Sequence, residues 1–365
     1  MSNMNTQEIF SIFSQFDTGD VPTSADVMRG GHINDTYKIT GKHGTYTLQR
    51  INTNVFTRPS DIMRNILLVT RHMAEKIASK DKKAEAFVPT VFLSRNGEPY
   101  ITTEEGSCYR LLRYVDGITV NQSDYNENIL REAGRAVGMF HSLTFDLAPE
   151  ILVNVIPGFH DTPARLFALH TALNDDKAGR AASVRDIAEE ILSYKSICGS
   201  VAHAIEDGSV LLRVTHNDTK IDNIIFDRKT GKALCLIDLD TVMPGSLLYD
   251  FGDAVRSGTT SGAEDEPDAR KVSFLPDLYE AFADGYLKEA QALLTPRELE
   301  LLPISPLLVT IECAARFLTD YLCGDVYFKT SRPHQNLDRA KAQLSLAKGM
   351  ERHLPLMRRV IEKRA

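Results

Sequence analysis

The chain has 365 residues, 43% hydrophobic and 25% charged, which suits a soluble globular protein large enough for two lobes around a cleft. A formal net charge of −7 argues against a broad basic surface for nucleic acid or anionic lipid, so the expected partner is a small molecule. The five cysteines, Cys108, Cys198, Cys235, Cys313 and Cys323, form no CxxC pair and no cluster with histidine, which speaks against a disulfide framework or structural zinc. The first ten residues lack the basic patch and apolar core of a signal peptide, and no apolar run approaches the roughly 18 residues of a membrane span. A cytoplasmic protein with no membrane partner is expected.

In chain order, the first regular pattern is β. A strand near Val27, the turn Gly30-Gly31, alternation from Ile33 to Thr40 and a second turn over 41–44 lead into Thr45-Tyr46-Thr47-Leu48-Gln49-Arg50-Ile51. These segments predict a three-stranded meander. Beyond Pro59, Ile62, Ile66, Val69, Met73 and Ile77 recur at helical spacing, with Ser60 or Asp61 available as a cap. Strands over 88–93 and 99–103 flank the turn Arg95-Asn96-Gly97-Glu98, and another from Tyr109 to Val115 runs into Asp116-Gly117. From about Asn126 the pattern is mainly helical, broken by one β-rich island between Leu211 and Leu239. The layout predicts an α+β chain with a small β-rich N-lobe, residues 1–113, and a larger, mainly helical C-lobe, residues 114–365.

That β island carries the chemistry. It reads Thr215-His216-Asn217-Asp218-Thr219-Lys220-Ile221-Asp222-Asn223-Ile224-Ile225-Phe226-Asp227, then a turn at Arg228-Lys229-Thr230-Gly231, then Ile237-Asp238-Leu239-Asp240. The apolar runs on either side of the turn should pair as a hairpin, 223–226 with 233–237. Opposed antiparallel residues sit roughly 4.5–5.5 Å apart at Cα, so the Asn223 amide and the Asp238 carboxylate should converge on one small cation. Few hard oxygen donors, with room left for phosphate oxygens and water, describe a site for nucleotide-bound Mg²⁺. Asp218, on the loop just before, is free to accept the proton of an incoming hydroxyl.

The pattern H-x-D-x-x-x-x-N followed by I-D resembles the catalytic and metal-binding segments of the aminoglycoside phosphotransferase and choline kinase superfamily, relatives of the protein kinases. The resemblance implies a protein-kinase-like bilobal fold, ATP as co-substrate and Mg²⁺ as cofactor. It makes Asp218 the catalytic base and Asn223 and Asp238 the metal ligands, with His216 bracing the loop. Met28-Arg29-Gly30-Gly31-His32-Ile33-Asn34 stands where such a fold places its nucleotide-covering turn, so Gly30 and Gly31 become candidate phosphate contacts. Gly-Gly is also an ordinary hairpin turn. The connection through Arg113 and Val115 is where backbone groups should meet adenine. Asp250 or Asp253, in Tyr249-Asp250-Phe251-Gly252-Asp253, is expected to buttress the catalytic loop.

Two departures stand out. Where the superfamily carries a basic residue at the end of the third strand, this chain has Leu48-Gln49, and the next residue, Arg50, points to the other face. Gln49 is expected to meet the nucleotide as a neutral donor. The following helix reads Met63-Arg64-Asn65-Ile66, with no acid to pair with a strand cation, so both partners are missing together.

The resemblance narrows further. Gly31-His32-Ile33-Asn34, Leu48-Gln49-Arg50-Ile51-Asn52-Thr53, Met243-Pro244-Gly245-Ser246 and Glu312-Cys313-Ala314-Ala315-Arg316-Phe317 are similar to bacterial N-acetylhexosamine 1-kinases, which phosphorylate the anomeric hydroxyl of N-acetylglucosamine or N-acetylgalactosamine in sugar salvage. By that resemblance His32, Arg316 and Tyr327, with Asp218, face the sugar. Imidazole, guanidinium and phenol are suited to hydrogen-bond ring hydroxyls and an acetamido carbonyl. The alternatives are another small-alcohol kinase acting on choline, ethanolamine or an aminoglycoside, and a nucleotide-binding pseudokinase. The acidic run Glu264-Asp265-Glu266 is expected to be a solvated loop rather than an aminoglycoside site.

Overall fold

A computed structural model describes residues 4–28, 34–80 and 88–364. Helix α1 (Thr6–Phe13) opens on a reciprocal cap. Asn5 Oδ1 accepts from the N–H groups of Gln7 and Glu8, and Glu8 Oε2 accepts from the Asn5 N–H at 2.9 Å. Then follow β1 (Pro22–Met28), β2 (Asp35–Gly41), β3 (Thr45–Ile51), helix α2 (Pro59–Lys80), β4 (Val91–Phe92), β5 (Ile101–Thr102) and β6 (Cys108–Arg113). They build one six-stranded antiparallel sheet in the order β1-β2-β3-β6-β4, with β5 also on β6. The pairing Tyr37↔Leu48↔Leu111 sets Tyr37, Ile39, Tyr46, Leu48, Tyr109 and Leu111 on the face packed against α1. Alternation then turns Thr36, Lys38, Thr47, Gln49 and Arg110 to the opposite face.

The strands expected over 88–93 and 99–103 are shorter than their sequence patterns. β5 takes Cys108 and Tyr109 of β6 and β4 takes Leu111 and Leu112, so two strands divide one edge and neither extends. In α2 the expected stripe of Ile62, Ile66, Val69, Met73 and Ile77 is buried.

The remainder is mostly helical: α3 (Glu127–Thr144), α4 (Thr162–Asp175), α5 (Arg185–Ser193), α6 (Lys195–Cys198), α7 (Ser200–Glu206), then β7 (Arg213–Thr215), β8 (Ile224–Phe226), β9 (Ala233–Leu236) and β10 (Met243–Gly245), then α8 (Leu247–Gly258), α9 (Pro276–Ala290), α10 (Pro296–Leu301), α11 (Ser305–Leu322) and α12 (Gln335–Glu362). Helices α3 and α9 meet backbone to backbone. A Cβ at Gly134 would stand 2.0 Å from the Phe282 carbonyl oxygen, and one at Gly285 would stand 1.9 Å from that of Arg131. The stretch Pro296–Leu322 is long and apolar enough to cross a membrane by composition, but most of it is buried inside the fold as a core element.

The expected hairpin forms. Ile224 pairs with Leu236 and Ile225 with Cys235, and the Ile237 N–H donates to the Asn223 carbonyl at 2.8 Å, which continues the register to the residue beside Asp238. Asp227 Oδ1 closes the turn by accepting from the N–H groups of Lys229 and Thr230, and Gly231 takes the left-handed backbone the turn needs, at φ 67°.

Candidate active site

The loop between β7 and the hairpin is held by one buried carboxylate. Asp250, at the start of α8, accepts from the His216 N–H at 2.8 Å, the Asn217 N–H at 2.7 Å and His141 Nε2 at 2.8 Å. Burial alone would raise its carboxyl, but hydrogen bonds and charge from His141 and then His216 hold it below the ordinary value. Asp253, the other candidate buttress, pairs instead with Arg256. His216 braces the loop through its ring. Nε2 donates to the Ile237 carbonyl at 2.9 Å, Nδ1 accepts from the Asp218 N–H at 3.3 Å, and its own carbonyl accepts from Thr241 Oγ1 at 2.7 Å. Asn217 occupies the left-handed region at φ 63°, with its amide tied to the Thr215 and Thr241 carbonyls. Backbone so constrained on all sides fixes where the next side chain points.

That side chain is Asp218. Its Oδ2 accepts from Lys220 Nζ at 2.9 Å and from Asn223 Nδ2 at 3.0 Å. Burial would raise the carboxyl, but the charge and hydrogen bond of Lys220 keep it below the usual carboxylate range. Lys220 is a functional candidate that the sequence reading did not single out, although a lysine two residues after the aspartate was a visible signal. The charges of Asp218, Asp238 and Asp253 all act on its ammonium, so it is a cation at the centre of an acidic group.

Asp238 follows β9 in a left-handed conformation, φ 65°. Burial, then the like charges of Asp240 and Asp218, push its carboxyl up to about 7. Among the described residues no cluster of three or more His, Cys, Asp or Glu side chains has the arrangement of a metal site. The donors that the hairpin brings together are one amide and one carboxylate, hard oxygens in a locally anionic place, and this set fits a divalent cation that takes its other ligands from phosphate and water.

A buried cation does stand on the neighbouring strand. Arg110 stands opposite Gln49 in the β3–β6 register, and its Nε donates to Gln49 Oε1 at 2.9 Å. Its guanidinium ion-pairs with Asp240, which also accepts from Asn34 Nδ2 at 2.7 Å. Gln49 Nε2 donates to Thr36 Oγ1 at 3.2 Å, so both ends of the amide that was expected to meet nucleotide are engaged within the protein. In α2, where an acid was absent, Asn65 donates to the carbonyls of Val153 and Val242 and accepts from the Val153 N–H.

At the connection after β6, the Arg113 N–H donates to the Thr90 carbonyl and the Tyr114 N–H to that of Thr45. The Val115 N–H carries no backbone bond among the described residues, which makes it the available donor there. Gly30, Gly31 and His32 lie outside the described residues.

On the other side of Asp218, His160 lies between the Asn217 carbonyl and Glu312 of α11, at 3.3 and 3.0 Å. Arg316 is one turn further along that helix and on the same side. Its guanidinium lies over Phe159 at 5.5 Å and Phe328 at 5.6 Å, with the Tyr327 phenol close enough to favour its charge. The structure therefore brings Arg316 and Tyr327 together on the segment that adjoins the Asp218 loop. The acids of the 264–266 run face the chain's own cations: Glu264 with Arg256, Asp265 with Arg332 and Glu266 with Lys271.

Residues 25–299 match the phosphotransferase enzyme family, and the chain belongs to it. Solved structures with the same fold include an aminoglycoside phosphotransferase from Alicyclobacillus acidocaldarius, at 14% identity and TM-score 0.64 over 100% of this chain and 98% of that one. A choline kinase from Cryptosporidium parvum matches at 13% identity and TM-score 0.61, over 96% of each chain. The amicoumacin kinase hAmiN, in complex with AMP-PNP, Ca²⁺ and Ami, matches at 14% and 0.60, over 99% of this chain and 94% of that one. The protein is a phosphotransferase of kinase-like α+β bilobal fold.

Proposed function

We propose that the chain transfers the γ-phosphoryl group of ATP to the anomeric hydroxyl of an N-acetylhexosamine, N-acetylglucosamine or N-acetylgalactosamine. The observation that carries the choice of acceptor is the charge beside the Asp218 loop: Arg316, with Tyr327, stands among aromatic rings. A choline, ethanolamine or aminoglycoside kinase has to receive a cation, which favours free carboxylates or an aromatic cage. Here Glu312 is ion-paired with His160, Asp253 is paired with Arg256 through its Oδ1, and a guanidinium occupies the aromatic surface. A neutral sugar with hydroxyl and acetamido oxygens meets donors instead.

Asp218 accepts the proton of the attacking hydroxyl. The anomeric hydroxyl is the most acidic on the sugar, so a carboxylate held low by Lys220 is basic enough. Lys220 is placed to follow the charge that develops on the transferred phosphoryl group, which is where phosphoryl transfer needs a fixed cation. Asn223 and Asp238 would hold Mg²⁺, which when bound neutralises charge on the phosphate oxygens. The Val115 N–H and the Arg113 carbonyl would meet adenine, and Gly30 and Gly31 are the remaining nucleotide-side candidates, whereas the Gln49 amide is committed to Arg110 and Thr36. By the resemblance in sequence, His32 is the remaining sugar-side candidate.

The test is ADP formation with N-acetylglucosamine, N-acetylgalactosamine, choline, ethanolamine, an aminoglycoside and no acceptor. Product is then examined by phosphorus NMR, where an anomeric phosphate couples to H1 and a 6-phosphate to the two H6 protons. Turnover with choline, ethanolamine or the aminoglycoside alone, or a 6-phosphate product, removes the 1-kinase reading and leaves the phosphotransferase class intact. ADP formation with none of them supports the nucleotide-binding pseudokinase.

A further inference from the structure

Of the titratable groups outside the reaction centre itself, His160 touches the catalytic loop directly. It precedes α4, almost buried, with its ring stacked on Tyr249 at 4.7 Å and 14° and edge-on to Phe159. Nδ1 lies 3.0 Å from Glu312 Oε1, and Nε2 lies 3.3 Å from the Asn217 carbonyl oxygen. A carbonyl oxygen only accepts, and so does an ionised carboxylate, so both ring nitrogens must carry protons.

We propose that His160 is a positioning residue, held as an imidazolium that ties Glu312 of α11 to the carbonyl immediately before Asp218, so that the base and the Arg316-bearing helix keep one spacing. The proposal rests on the reading of Asp218 as the base. Glu312 supports it from the other side. Its second oxygen accepts from Thr162 Oγ1 at 2.5 Å, and the carboxylate is fully buried, where it needs a counter-charge. Burial works against charge on both partners. Even so, the Glu312 charge raises the His160 imidazole above its ordinary value, and His160 holds Glu312 below its own.

The groups facing the ring are Glu312 and Arg316 from α11, Asp253 and Tyr249 from α8, and the Asn217 carbonyl from the loop. Glu312 and Asp253 favour the cation and Arg316 opposes it. Loss of the proton removes one of the two bonds. Either the loop carbonyl is released, or a ring lone pair is left facing the buried carboxylate. The cost falls on a backbone already at positive φ, whose geometry depends on being held from several sides.

The test uses the full chain labelled with ¹⁵N-histidine, with the His160 signal assigned by its loss in His160→Gln. At pH 7 both ring nitrogens of His160 should give imidazolium shifts, and the proton should leave well above the ordinary histidine value of about 6.5. In Glu312→Gln the same ring should titrate at lower pH, and the alkaline limb of kcat should move with it. His160→Gln should lower kcat by roughly 10–10²-fold, as small misplacements of catalytic groups do. KM for ATP should stay within about twofold, and the alkaline limb should flatten. A neutral His160 at pH 7, or a titration unmoved in Glu312→Gln, overturns the proposal. So does His160→Gln with kcat within about twofold of wild type. The NMR result does not depend on which residue is the base, so failure of the Asp218 assignment would show separately, as an Asp218→Asn variant that still turns over.

Discussion

Arg110 of β6 and Asp240, two residues past Asp238, form an ion pair between the sheet and the loop after β9, with side chains only 1% and 3% exposed. Breaking such a pair leaves one charge buried without a partner. Arg110→Met should therefore cost about 3–5 kcal/mol in urea unfolding, whereas Arg110→Met with Asp240→Leu should recover most of that loss. A double variant no more stable than the single one would show that the pair is not what makes Arg110 necessary.

Asp218→Asn keeps the shape of the loop and removes the proton acceptor. Folding and nucleotide binding should be retained while kcat falls on the order of 10²–10⁴-fold. Isothermal titration with a non-hydrolysable ATP analogue, alongside turnover, separates the two effects. Turnover within about threefold of wild type would reassign the base.

Asp238→Ala should abolish productive binding of metal-bound ATP, and Asn223→Ala should weaken it less, because a neutral amide contributes less to a cation site. The readout is activity against Mg²⁺ concentration, where both curves should move to higher metal. Curves that overlay the wild type would remove the hairpin as the metal site.

Asp250 links the fold to pH. Its folded carboxyl lies below the ordinary value and its unfolded one near 3.9, so its contribution is complete above about pH 4 and is lost as pH falls through the folded value. Asp250→Asn should be less stable at pH 7 by about 1–3 kcal/mol, because buried N–H groups lose their acceptor. Its stability should also fall less steeply below pH 4 than that of the wild type. Parallel acid limbs in thermal melts from pH 3 to 7 would exclude Asp250 as the source.

What could be read in advance was local. The turn around Gly231, the apolar runs beside it and the helical spacing in α2 are encoded within a few residues of where they act, so the hairpin and that helix were legible. The approach of Asn223 to the neighbour of Asp238 followed from strand pairing alone. What was not legible depends on residues far apart in the chain. Gln49 meets Arg110 across 61 positions, and His160 meets Glu312 across 152, and a single polar residue on a strand or loop carries no periodic signal of its distant partner. Shortened β4 and β5 belong to the same class, because each pattern alone permits a longer strand and only their shared edge on β6 forbids it.

One buried carboxylate organises the segment that carries Tyr327. Asp320 accepts from the backbone N–H groups of Val326, Tyr327 and Phe328 and from Asn336 Nδ2. The path of this segment is thus set through main-chain contacts, while the side chains of Val326 and Tyr327 are 78% and 69% exposed. Anchoring the backbone and freeing the side chains separates foldability from selectivity. On the proposed function, in which Tyr327 faces the acceptor, Tyr327→Phe and Tyr327→Ala should change acceptor preference with little change in thermal stability, because the anchoring runs through the Asp320 carboxylate and the main chain.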